Sequence, residues 1–150
     1  IKIDYTSNWK KKHLSTIKHN YKKYKYFNEV FSIYEKQVLS DYEMISDLNI
    51  NLIKEISFYL ILNVNFLISS EININKKKDE KIVEILKKIS SNDYISPPGS
   101  KNYIELNDRF KKEHIKITYQ KYKKYYLLNE KNLSILHFLF KFGNSFVDNI

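Results

Sequence analysis

Apolar residues recur at helical spacing along the first sixty residues. Leu14, Ile17 and Tyr21 fall on one helix face, and Asn8 stands at the N-cap position of that helix. The same periodicity predicts a second helix over 26–39 and a third that starts at Asp41, and neither Gly nor Pro interrupts them. The first half of the chain is therefore predicted to be helical.

The pattern changes in the second half. The apolar run 64–68 has the length and composition of a buried strand that ends at Ser69-Ser70, and the polar run 73–78 is predicted to be a loop. Further along, the pattern predicts a helix over 79–89, a strand over 94–96, a short helix over 101–110 with Tyr103, Leu106 and Phe110 inward, and a strand over 114–119. Segment 120–132 has no clear pattern. This order is typical of a parallel, Rossmann-like α/β unit, so the fold class is α/β with a helix-rich first half, and residues 1–150 are expected to form a single domain or the carboxyl-terminal part of one.

Both prolines and one of the two glycines fall together in Pro97-Pro98-Gly99, directly after the strand that ends at Ser96. Pro fixes φ, whereas Gly admits positive φ and lets another group approach the backbone. Ligands of parallel sheets lie beyond the carboxyl ends of the strands, and free amides at a helix start favour an anion. We therefore expect Ser96, Gly99, Ser100 and Lys101 to bind substrate, although a merely stiff connection explains the turn equally well.

Two more serines join this expectation. If the strand before Ser69 and Ser70 is parallel to the strand that ends at Ser96, all these hydroxyls meet at one sheet edge. Ser69 and Ser70 are then substrate-binding residues; the alternative is that they cap a helix.

His13 is the candidate catalytic residue. It lies four residues after Trp9, on the same predicted helix face, and an imidazole suits acid/base chemistry near neutral pH. The alternative is a histidine that packs and makes one hydrogen bond. The chain has no Cys, and its histidines lack the spacing of a metal site, so neither a metal nor another cofactor is predicted.

The net charge of +9 comes almost entirely from lysine, since Arg109 is the only arginine. Lysines interleaved with tyrosines would suit a nucleic-acid-binding module without catalytic activity, but arginine supplies most specific recognition of bases and phosphates. The chain is also rich in Ile, Asn and Tyr and contains no Ala, which is typical of an AT-rich coding sequence and favours a plain solvated surface. A basic surface would also attract a sugar nucleotide or an anionic carrier.

Several motifs, in this order along the chain, resemble the WbqC-like family. They are Trp9-Lys10-Lys11-Lys12-His13-Leu14 before a Tyr-rich helix, Ser69-Ser70-Glu71-Ile72, the stretch from Tyr94 to Tyr103, Ile115-Lys116-Ile117, Leu133-Ser134-Ile135-Leu136, and Leu139-Phe140 with Gly143. The chain departs from the family pattern at His137, where an acidic residue is usual, and at Lys141, where an Asn is usual. It also has no counterpart of the family's opening Gln-Pro-x-Tyr-x-Pro-like motif and begins at Ile1, so it is expected to be a fragment, an incomplete domain.

The resemblance implies an enzyme of bacterial cell-surface polysaccharide (O-antigen) synthesis that acts on an activated sugar. Acyl or aminoacyl transfer to an amino sugar is the expected reaction, with a sugar nucleotide and an acyl carrier as partners. The resemblance assigns the base to His13 or to the missing segment, the phosphate to the Pro97-Pro98-Gly99 loop with Ser100 and Lys101, and the substrate to Ser69 and Ser70. The longest apolar stretch, 56–68, is too short to span a membrane, and the lack of Cys fits a cytoplasmic location.

Overall fold

The computed structural model describes residues 1–106, 108–121 and 133–145, without the side chain of Tyr103. The described elements in chain order are α1 (Trp9–Tyr21), α2 (Phe27–Leu39), α3 (Ile45–Tyr59), α4 (Lys78–Lys88), β1 (Asp93–Ser96), a single 3-10 turn (Pro98–Ser100), α5 (Lys101–Glu105), α6 (Arg109–Lys112), β2 (Lys116–Tyr119) and α7 (Ile135–Phe142). The helix-rich first half and the later parallel strand/helix unit are thus confirmed. The chain forms two compact units, 1–66 with 130–150, and 67–129.

The first unit contains α1, α2, α3 and α7 around one apolar core. Helix α2 turns Phe27, Val30, Phe31 and Val38 inward, and these side chains pack with Phe140 of α7. The apolar positions of α2 lie three or four residues apart, so they form one stripe that faces the core. The predicted helices 8–21 and 26–39 are confirmed, although the Asn8 side chain makes no capping hydrogen bond.

The third helix begins at Ile45, so the prediction that it starts at Asp41 is wrong. Residues just before it are extended, and Met44 pairs with Lys2 in an isolated antiparallel bridge. The amide of Ile3 donates to the carbonyl of Glu43, and the amide of Ile45 donates to the carbonyl of Ile1. Backbone groups that bond to the first residues cannot also bond within a helix, which is why α3 starts late.

The second unit contains α4, β1, α5, α6 and β2. Strands β1 and β2 pair in parallel, with Asp93 opposite Lys116 and Ser96 opposite Tyr119. The connection between them carries the 3-10 turn, α5 and α6, as parallel strands require a crossover. The core of this unit consists of Val83, Leu86, Ile104, Phe110 and Ile115.

Two sequence expectations for the second half are wrong. No strand forms over 64–68; Val64, Phe66 and Leu67 are exposed, and no described strand pairs with them. The expected helix 101–110 is divided into α5 and α6, and Leu106, at the division, is 84% exposed. Ile104 occupies the inward position that the pattern assigned to Leu106, while Phe110 is buried as predicted.

The remaining predictions for this unit are confirmed with small shifts in their bounds: a loop before α4, α4 itself, β1 and β2. Most of segment 120–132, which the sequence left unassigned, lies outside the described residues. Within residues 1–106, 108–121 and 133–145, no helix has both the length and the apolar character needed to cross a bilayer.

Candidate functional site

His13 contacts a tyrosine on the neighbouring helix. Its Nε2 lies 2.5 Å from Oη of Tyr34, and the two rings are 5.9 Å apart between centroids. His13 is an exposed residue of α1 whose ring is turned toward α2, whereas Tyr34 belongs to the inward stripe of α2 and is 9% exposed. Core packing therefore fixes the phenol, and the phenol in turn fixes the orientation of an accessible imidazole.

The protonation state of Tyr34 follows from its burial. Burial raises the pKa of the Tyr34 phenol, so the phenol keeps its proton at neutral pH. If Nε2 carries the imidazole proton and donates it to Tyr34 Oη, Nδ1 has a free lone pair; if Oη donates to Nε2, Nδ1 carries the proton. No described residue forms a hydrogen bond with Nδ1 of His13. The pair can thus present either a base or an acid to a substrate.

The loop 97–101 of the second unit is held by two buried serines. Oγ of Ser96 and Oγ of Ser100 lie 2.5 Å apart, and Ser100 Oγ also donates to the carbonyl of Pro97 at 2.7 Å. The exposed fractions of Ser96 and Ser100 are 0% and 3%. The structure brings these two predicted site residues together, but their hydroxyls bond inside the loop.

Gly99 and Lys101 are the exposed predicted residues of this loop. Gly99 has no atom within 4 Å of a Cβ built on it, and its φ is not positive, so the loop does not require glycine at this position. Lys101 lies on α5 with its Nζ 3.9 Å from Glu105 and 5.9 Å from the ring centroid of Tyr119. Both contacts are long, and the ammonium group stays accessible to an anion.

Ser69 and Ser70 do not follow a strand, because the strand predicted before them is absent. They are exposed in a turn in which the amide of Glu71 donates to the carbonyl of Ile68. Because no described strand precedes Ser69 and Ser70, the sheet does not bring their hydroxyls to the same edge as Ser96. Their accessible hydroxyls remain candidates for contact with a sugar.

The tyrosines that alternate with lysine from the end of α1 onward are partly buried. Tyr21, Tyr24 and Tyr26 pack against the core of the first unit, and the Tyr21 ring lies 4.8 Å from that of Phe140. Arg109 binds Asp79 and Glu80 through its Nε and Nη1 atoms. These rings pack against the core and the single arginine is paired with carboxylates, so they do not form a platform for stacking bases.

No group of three or more potential His, Asp or Glu metal ligands occurs within the part of the chain that the structure describes. His19 and His114 are exposed, and His137 is buried among Tyr21, Tyr24 and Phe138. Among the described residues, the accessible His13 with its tyrosine partner is therefore the best candidate for acid/base chemistry.

A model of the WbqC-like protein family matches residues 1–148. The chain belongs to the WbqC-like protein family. The match covers the helical first unit as well as the second. It supports membership of the family but does not restrict the resemblance to the carboxyl-terminal part of the family. No curated protein and no solved structure matches the chain.

Motifs that resemble the WbqC-like family have clear structural roles here. In Leu133-Ser134-Ile135-Leu136, Ser134 caps α7, because its Oγ accepts a hydrogen bond from the amide of Leu136. Leu139 and Phe140 are fully buried, and Gly143 ends the helix with a φ of 63°. His137 places an imidazole in the core of the first unit, where it is 5% exposed.

Sequence reasoning did not find the partner of His13. Tyr34 lies twenty-one residues away on another helix, and its spacing with Phe27, Val30 and Phe31 identifies it only as a core residue. The two residues meet because α1 packs on α2, and the periodicity of a sequence does not show which helices pack together.

Proposed function

We propose that this WbqC-like chain is an enzyme of bacterial cell-surface polysaccharide synthesis, of the O-antigen type, that acts on an activated sugar in the cytoplasm. Membership of the family supports the assignment to this pathway. The observation that carries the catalytic part is the hydrogen bond between His13 Nε2 and Tyr34 Oη, which positions an accessible imidazole.

The reaction we propose is transfer of an acyl or aminoacyl group to the amine of an amino sugar. The sugar nitrogen attacks the carbonyl carbon of the donor, and Nδ1 of His13 takes the proton that the nitrogen loses. A C–N bond forms, the bond from the carbonyl carbon to the sulfur or oxygen of the carrier breaks, and the imidazolium returns its proton to that leaving atom. Tyr34 is a positioning residue: it holds the ring through Nε2 and leaves Nδ1 for the substrate.

In the second unit, we propose a separate contact with the phosphates of a sugar nucleotide. The Lys101 ammonium group and the backbone at Gly99 are accessible for this contact, and the Ser96–Ser100 hydrogen bond maintains the loop shape. Ser69 and Ser70, of the same unit, have exposed hydroxyls that could bond to a sugar nucleotide. The acyl donors that fit this chemistry are thioesters or aminoacyl esters.

The test is a transfer assay in which the protein is incubated with nucleotide-linked amino sugars and acyl or aminoacyl donors, and the mass of the sugar product is measured. His13→Asn should lower the rate by about a hundredfold or more, as expected for loss of a general base. His19→Asn is the matched control, because His19 is an exposed histidine on the same helix, and it should retain the wild-type rate.

Tyr34→Phe should lower the rate less than His13→Asn and should shift the pH profile, because the imidazole loses its orienting partner. Wild-type activity in His13→Asn would exclude His13 as the base. Absence of acylated product with every donor would exclude acyl transfer.

A further inference from the structure

Helix α1 and the turn that follows it carry many lysines and no acidic residue. Between Trp9 and Asn28 the chain has no Asp or Glu, and it has seven lysines: Lys10, Lys11, Lys12, Lys18, Lys22, Lys23 and Lys25. Helix α4 differs, because it carries Asp79, Glu80 and Glu84 among its lysines, and Lys87 forms ion pairs. A second acid-free stretch, 114–129, has four lysines, of which Lys116 and Lys121 lie within the described residues. The charge on α1 is therefore a local feature and not only a consequence of overall composition.

Five of these lysines are available to a partner. Lys10 is engaged with Asp41 and with the carbonyls of Leu39 and Ser40, and Lys25 lies over the ring of Tyr26. The others are exposed, and no described residue forms an ion pair or side-chain hydrogen bond with them; they are Lys11, Lys12, Lys18, Lys22 and Lys23, which we call the α1 lysine face.

The lysines of this face are spread over the exposed surface of α1 and the turn that follows it. Lys11 and Lys18 border a shallow depression beside Leu14, and Lys22 and Lys23 follow the last residue of the helix. A helix of this length spans about 20 Å, so the ammonium groups are spread over a broad surface and do not converge on one ligand. Such a surface complements a plane of negative charge better than it complements a single small anion.

Nucleic acid is the less suitable partner. Tyr21, Tyr24 and Tyr26 pack against the core, so they cannot stack on bases. The α1 lysine face also contains no arginine, which would bind base edges or phosphates through bidentate hydrogen bonds. Lipid headgroups require neither feature. They attract clustered lysines through charge alone.

We propose that the α1 lysine face docks the protein on the surface of an anionic phospholipid bilayer. This contact is peripheral and separate from the proposed catalytic group, because His13 is turned toward Tyr34 of α2. Each lysine near such a surface should strengthen binding roughly fivefold at low salt, so the loss of three should weaken binding by about a hundredfold.

The experiment measures sedimentation of the full chain with vesicles of phosphatidylcholine alone and of phosphatidylcholine mixed with phosphatidylglycerol. The α1 variant is Lys12→Gln, Lys18→Gln and Lys22→Gln. The control variant is Lys76→Gln, Lys77→Gln and Lys88→Gln, which removes the same charge from exposed lysines of the other unit. Circular dichroism verifies that both variants are folded.

We expect the wild type and the control variant to bind the anionic vesicles and not the neutral ones, and the α1 variant to bind about a hundredfold more weakly. Equal weakening in both variants would show that only net charge matters and would overturn the proposal. Equal binding to neutral vesicles, or tighter binding to single-stranded RNA or duplex DNA than to anionic vesicles, would overturn it as well.

Discussion

The ring of Tyr26 lies directly against Gly143, so a Cβ at position 143 would be only 2.6 Å from the ring atom Cδ1. The two segments are also joined by a hydrogen bond from the amide of Tyr26 to the carbonyl of Phe140. Gly143 ends α7 with φ 63° and ψ −148°, a conformation that other residues rarely adopt. Close packing and backbone conformation both require glycine at this position.

Gly143→Ala should therefore destabilise the protein by about 2 kcal/mol or more, from backbone strain and the clash with Tyr26. The chain's other glycine is the matched control, because Gly99 has open space where a Cβ would be placed and no positive φ. Gly99→Ala should change stability by about 1 kcal/mol or less. Urea unfolding followed by circular dichroism measures both, and equal effects would contradict this description of the two glycines.

The buried hydrogen bond between Ser96 and Ser100 predicts strong coupling of their substitutions. Ser100→Ala leaves the Ser96 hydroxyl buried without this partner and should cost about 1–3 kcal/mol. The double variant Ser96→Ala and Ser100→Ala should cost less than the sum of the single variants, since neither hydroxyl is then left behind. Urea unfolding of all four proteins gives the coupling energy. Additive effects would show that the hydroxyls do not bond to each other.

Ionisation of Tyr59 should lower the stability of the protein at high pH. Burial and the hydrogen bond that its Oη donates to Glu29 raise the pKa of Tyr59 above its ordinary value of 10.0. The unfolded chain therefore releases this proton at a lower pH than the folded chain, so the contribution of Tyr59 to stability is complete below about pH 10 and falls as pH rises toward the folded pKa.

Tyr59→Phe should make the decline of unfolding free energy above about pH 10 less steep. The two proteins differ only in the hydroxyl at position 59, so the comparison isolates the phenol. Urea unfolding at several alkaline pH values measures the two slopes. Identical slopes would contradict the raised pKa of Tyr59.

The ion pairs of Arg109 should make a salt-dependent contribution to the stability of the second unit. It joins α6 to the start of α4 through Asp79 at 2.9 Å and Glu80 at 2.7 Å. Arg109→Met should cost about 1 kcal/mol at low salt and less at high salt, because these ion pairs are partly exposed and are screened. Lys111→Met on the same helix is the control and should have little effect. If the Arg109→Met loss does not change with salt, the ion pairs are not its cause.

The sequence predicted the helices well where one face was consistently apolar. α1 and α2 have inward stripes spaced three and four residues apart, and their observed bounds fall within one residue of the predicted ones. The parallel pair β1 and β2 was also predictable, because two short strand patterns flank a turn with Pro and Gly and a helical pattern.

The errors arose where tertiary pairing decides the structure. Residues 64–68 have strand composition, but a strand requires a neighbour to bond its backbone, and no described strand supplies one. Pairing of the chain start with Met44 delayed α3, and this pairing has no local sequence signal. Of the predicted site residues, His13 has a hydrogen-bond partner that the sequence did not show, and Ser96 and Ser100 are buried. The glycine with a positive φ is Gly143, whereas the predicted site residue Gly99 has none.

The central claim, that this WbqC-like chain acts on an activated sugar, is tested most directly by calorimetric titration with nucleotide-linked sugars. The account predicts saturable binding that Gly99→Val and Lys101→Ala weaken while the circular dichroism spectrum is unchanged, and that the control Lys111→Ala leaves intact. Absence of binding to every nucleotide-sugar, or wild-type affinity in both loop variants, would contradict it.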